Sequence, residues 1–135
     1  MQDTTDAQTL MEGWQCGNVL AAECPSRPIL QHLTNRWGTL VMVALAVKPH
    51  RFAELRRAVG GVSERMLSQT LKELEADGFV LRVAHDVVPP HVDYSLTPLG
   101  AEAAQHLIPL VGWIEGNLHR ILAPRGADPD QASAA

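Results

Sequence analysis

The stretch VSERMLSQTLKELEADGFV, Val62 to Val80, constrains this chain more than any other. Leu67, Leu71 and Leu74 recur at spacings of four and three, so they share one face of a helix. Ser63 stands where an N-cap belongs. Glu64 follows in the first turn, where unpaired N–H groups favour negative charge. Gly78 sits where helices commonly stop in a left-handed residue, and Phe79 and Val80 then begin an apolar, extended piece. A helix divided so sharply requires a core behind it and leaves its other face for another task.

That other face is unusual for a solvated surface. Ordinary exposed helices are rich in Glu and Lys at pairing distances. Here Arg65, Ser68, Gln69, Thr70 and Lys72 occupy the outward positions, and Glu73, Glu75 and Asp77 are held to the last two turns. Arginine offers a fork of donors to guanine, glutamine an amide to adenine, and hydroxyls suit either. The spacing therefore predicts a helix that reads base edges in a DNA major groove.

Its neighbours supply context. HRFAELRRAV, His50 to Val59, begins extended and then reads as a short helix with Phe52, Leu55 and Val59 on one side. Gly60-Gly61 makes the turn, which completes helix, glycine turn, helix. Two alternating segments follow, Val80–His85 and His91–Leu96, joined by DVVPP. They predict a two-stranded wing whose Pro89-Pro90 tip lacks donors and so resists edge pairing.

From Cys24 to about Gly100 the chain resembles the HxlR family of bacterial regulators, a winged-helix group related to the MarR regulators. The matching pieces are CPSRPILQHLTNRWGTLVMVAL, HRFAELRRAVGGVSERMLSQTLKELEADGFVLR and PPHVDYSLTPLG. The resemblance implies a mainly α fold with a small β-hairpin: a winged helix-turn-helix with N- and C-terminal dimerisation helices. It also implies a transcriptional regulator, acting as a repressor through a homodimer on double-stranded DNA; a cytoplasmic location is expected by default from the lack of a secretory signal and of a membrane span. Many members carry a cysteine where Cys24 stands, and several use it to detect electrophiles or oxidants. Members commonly carry arginine where this chain has His91.

The division expected is a 1–23 N-terminal arm, a 24–96 winged-helix core, a 97–122 dimerisation helix and a 123–135 flexible tail. In the third part Leu99, Ala103, Leu107, Leu110, Ile114, Leu118 and Ile121 form an apolar stripe wider than a small core needs. Pro109 interrupts that pattern, and a kink or break is expected near Leu107–Pro109.

The net charge of −4 has to be located before it is weighed. Residues 48–96 hold seven basic and seven acidic residues, so the DNA-facing part is neutral and the deficit lies elsewhere. Non-specific affinity should be modest. No uncharged apolar run is long enough to span a membrane, and the N-terminus lacks the basic start of a secretory signal. Two cysteines in a reducing compartment argue against a disulfide framework.

Expected roles follow. Arg65 and Gln69 contact base edges, and Ser63 and Ser68 contact phosphates or bases. Arg56, Arg57 and Lys72 hold the backbone, with Arg82 and His91 on the wing. Cys24 lies just ahead of a helix, where N–H groups favour a thiolate; Arg27 assists and Glu23 opposes. Oxidation would carry Cys24 through sulfenic acid to a disulfide with Cys16 or a partner-chain cysteine. The bland alternative is a small buried apolar cysteine. A second functional reading is a regulator without a redox role, binding an aromatic effector in an apolar cavity lined by Trp37 and Trp113. The six histidines, His32, His50, His85, His91, His106 and His119, show no ligand spacing, and no phosphate loop or nucleophile set is present. No metal, no cofactor and no catalysis are expected.

Overall fold

The computed structural model describes residues 7–8, 11–12 and 19–125. Its elements run α1 Ser26–Thr34, α2 Arg36–Val47, β1 His50–Arg51, α3 Phe52–Ala58, α4 Glu64–Ala76, β2 Val80–His85, β3 His91–Leu96, α5 Pro98–Gly116 and α6 Leu118–Leu122, with a 3-10 turn at Ala123–Arg125. Among the described residues no helix is long and apolar enough to cross a membrane.

The core forms around α2, whose Val41 and Met42 are fully buried. Against it pack Leu55 from α3, Leu67, Leu71 and Leu74 from α4, Phe79 and Val80 at the start of the wing, and Ala104 and Leu107 from α5. One side chain joins α1 to α2. The Asn35 carbonyl oxygen accepts from the Trp37 and Gly38 N–H groups at 3.1 and 2.8 Å, while its amide donates to the Gln31 and His32 carbonyls. A single residue thus satisfies open groups at the end of one helix and the start of the next. The two helices cross so closely that a Cβ at Gly38 would run into the His32 carbonyl.

The helix-turn-helix follows the expected course. Gly61 takes the turn at φ +89. The Ser63 hydroxyl accepts from the Met66 N–H at 3.1 Å, and Gly78 stops the chain at φ +86. Beyond it, Thr97 Oγ1 donates to the Gly78 carbonyl at 2.6 Å and accepts from the Gly100 N–H at 2.9 Å. The exit of α4 and the start of α5 are therefore held by one hydroxyl.

Three expectations need correction. The two wing strands fall where expected, but the sheet is larger than the wing: β1 pairs with β3 on the side opposite β2, giving an antiparallel sheet of order β1-β3-β2. His50 pairs with Tyr94 and Arg51 with Asp93. A two-residue strand has no period to recognise in sequence. Thr70 is not on the outward face of α4 but buried at 2% exposure, because it lies three residues beyond Leu67 on the same side. Finally, α5 does not break at Pro109: the helix continues through it, and the interruption falls at Asn117. Proline deprives only the Gln105 carbonyl of its helical partner, and both residues are exposed, so water can serve that oxygen. The peptide before Pro89 at the wing tip is cis.

Candidate nucleic-acid interface

Burial of Leu67, Thr70, Leu71 and Leu74 fixes the rotation of α4 and turns Arg65, Gln69 and Lys72 outward, where all three are exposed. Residues 65, 69 and 72 are neighbours on one face by helical spacing. Ser68 is half-buried at the margin. Ser63 is exposed, with its hydroxyl already capping the helix.

Behind α4, Arg56, Arg57, Ser63 and Glu64 line one open cleft. Arg56 is tied there: its guanidinium lies 3.3 Å from Glu64 and also reaches the Val62 carbonyl. Arg57 is exposed at the end of α3. The start of α3 is fixed by Glu54, whose carboxylate accepts from the Arg51 backbone N–H at 2.9 Å. That bond holds the Glu54 carboxyl below the usual carboxylate range.

Two of the late acids, Glu73 and Asp77, have partners. Glu73 accepts from Gln69 Nε2 at 2.9 Å, and His32 Nδ1 lies 2.6 Å from Asp77. His32 Nε2 is 3.9 Å from Glu73. The Gln69 amide is thus oriented along the helix by Glu73, with its second N–H and its carbonyl oxygen not used in that bond.

On the wing the expected contacts separate. Arg82 is exposed, yet its register pairs it with Tyr94, which pairs in turn with His50. Directly paired residues share a sheet face, so Arg82 rises from the core-facing side at the edge strand. His91 belongs to the opposite face, across from His85. Sequence spacing concealed this pair. A hairpin places residues equidistant from its turn side by side, and that symmetry was the available signal.

Cys24 is buried at 5% exposure, two residues ahead of α1, and it stands in a disulfide. This departs from the expectation that a reducing compartment leaves the chain without one. The other cysteine, Cys16, lies outside the described residues, as does most of the 1–23 arm. The Ser26 hydroxyl is 3.0 Å from the Cys24 sulfur and donates to it. Arg27 does not serve the sulfur; its guanidinium donates to the Leu20 carbonyl at 3.1 Å. Of the two aromatic residues proposed to line an effector cavity, Trp37 packs on the core and Trp113 is 55% exposed.

The profile of the HxlR-like helix-turn-helix family matches residues 32–121. The chain is 52% identical over 125 residues to the uncharacterised HTH-type transcriptional regulator YtfH of Escherichia coli (strain K12), covering 93% of this chain and 96% of that one. A solved structure of the transcriptional regulator ytfH from Salmonella typhimurium superposes with a TM-score of 0.77 at 55% identity, over 82% of this chain and 98% of that one. The redox regulator HypR in its oxidised form superposes with a TM-score of 0.64 at 35% identity, over 70% and 97% of the two chains. Its reduced form gives a TM-score of 0.67 at 32% identity, over 73% and 98%.

Proposed function

The chain belongs to the HxlR-like helix-turn-helix family of transcriptional regulators, a DNA-binding rather than catalytic class, and from that premise we propose a homodimeric repressor acting on a near-palindromic operator. The observation that carries the DNA contact is the outward row Arg65, Gln69 and Lys72 on a capped helix backed by a closed core. Arg65 and Gln69 read bases, Ser63 and Ser68 contribute hydroxyl contacts, and Lys72, Arg56 and Arg57 hold phosphates, which position the protein without reading sequence. Arg82 and His91 add contacts from the wing. Two copies present their α4 helices to major grooves one turn apart, roughly 34 Å.

Support for the dimer comes from the distal part of α5. Leu110, Trp113 and Ile114 are 50%, 55% and 41% exposed. Such side chains clustered on one terminal helix suit burial against a second copy.

Selecting bound sequences from random duplex DNA tests the reading directly. Enriched sites should contain two related half-sites about one turn apart. Arg65→Ala should weaken binding by about 1–3 kcal/mol and relax preference at one base pair per half-site. An equal loss on every sequence would make Arg65 a phosphate clamp instead.

The signal we propose is oxidative. A buried Cys24 in a disulfide, close to α1, and the likeness to the redox regulator HypR support it. The reduced thiolate adds to an electrophile, or is oxidised by a peroxide to sulfenic acid, which the thiol of Cys16 or of a partner-chain cysteine attacks to form a disulfide with loss of water. Diamide added to the reduced protein should change operator affinity at least tenfold. Cys24→Ser should abolish that response. A Cys24→Ser protein that still responds excludes the thiol route and favours a bound effector.

A further inference from the structure

We propose that the outer face of the wing is a site for a divalent transition-metal ion, held by His85, His91 and Asp93. The register places His85 directly across from His91, and Asp93 follows two residues later on the same face. The two imidazole rings stack at 4.5 Å with an interplanar angle of 28°. His85 Nε2 lies 2.7 Å from Asp93 Oδ2, and His91 Nε2 lies 3.8 Å from the same oxygen. One donor atom from each residue falls within 4.8 Å of the others.

The chemistry selects the ion. Two neutral imidazoles and one carboxylate suit zinc, cobalt or nickel; magnesium and calcium prefer sets of oxygen donors. In a tetrahedral site, bonds of about 2.0–2.2 Å place adjacent donor atoms roughly 3.4 Å apart. The His91–Asp93 separation is already close to that value. The His85–Asp93 hydrogen bond must open by less than 1 Å, a small rotamer adjustment on a hairpin face. His85, His91 and Asp93 keep 39%, 24% and 37% of their side-chain surface exposed, so an ion can enter from solvent. Three protein donors leave a position for water, as in open zinc sites.

One group opposes the ion. Arg51 Nε stands 3.9 Å from Asp93 Oδ1, the oxygen that the histidines do not use. Such an exposed pair contributes little, far less than bonds to a metal. The alternative arrangement is a carboxylate shared between two histidines with no ion, and titration separates the two.

The experiment uses the full-length, metal-free protein, with Co²⁺ alone as an optical probe and Zn²⁺ alone by calorimetry. One ion per chain is expected, with Co²⁺ giving visible d–d absorption. His91→Ala and Asp93→Asn should each weaken binding at least tenfold, while Cys24→Ser should leave it unchanged. Unchanged affinity in the double variant His85→Ala/His91→Ala, or no saturable binding up to millimolar Zn²⁺, overturns the proposal. Should a variant fail to fold, paramagnetic broadening by Co²⁺ in the wild-type amide spectrum decides: broadening centred on residues 85–93 supports the site, and broadening centred elsewhere overturns it. No DNA is present, so this outcome is independent of the operator reading.

Discussion

Helices α4 and α5 are both amphipathic, but they spend their apolar residues differently. In α4 each inward residue, Leu67, Thr70, Leu71 and Leu74, is buried within one chain. In α5 burial is partial: Gly100, Ala104 and Leu107 are buried in the first half, whereas Leu99 at its start and Ile108, Leu110, Trp113 and Ile114 beyond are exposed. The fold of one chain thus completes the reading helix and leaves the terminal helix half covered. Changes to α4 should act on stability at any protein concentration. Changes to distal α5 should act on association.

The largest effect should come from Leu67→Ala. Leu67 has no exposed surface, and truncating a buried leucine typically costs about 2–5 kcal/mol. Urea unfolding should show that loss equally in dilute and concentrated samples. A concentration-dependent loss would erase the contrast with α5. Next comes Trp113→Glu, which places a charge on the open half of that helix. Sedimentation should show dimer dissociation at concentrations at least tenfold higher than for the wild type, with helical content retained. An unchanged dimer would move the interface elsewhere. The smallest effect should come from Glu54→Gln, which sharpens the comparison by touching neither helix. The Arg51 N–H depresses the Glu54 carboxyl, so its stabilising contribution is present above the ordinary carboxylate range and is lost as pH falls through the lowered value. The variant should melt slightly below the wild type at neutral pH. That gap should close in acid.

The same contrast explains what was legible in the sequence. The α4 leucines keep strict helical spacing between a serine cap and a terminating glycine, so local chemistry sufficed to place the helix, its limits and Arg65, Gln69 and Lys72. Thr70 was misplaced because a polar label outweighed geometry; its position relative to Leu67 and Leu74 put it inside. Pairing of β1 with β3 depends on residues some forty apart, and His50–Arg51 is too short to announce itself. The grouping of His85, His91 and Asp93 likewise exists only once the hairpin register is known. Nor does spacing reveal which partner occupies a side chain. Gln69 on Glu73 and Arg56 on Glu64 are choices among neighbours that only the packed chain makes.

The bridge made by Thr97 has a mechanical consequence. Its hydroxyl and backbone N–H fasten the root of α5 to Gly78 and Phe79, the residues just past the end of α4. A Cβ at Gly100 would strike the Phe79 carbonyl, so the joint has no slack. A tilt imposed on the distal part of α5 is therefore delivered to α4 as through a short lever, with no spacer segment to absorb it.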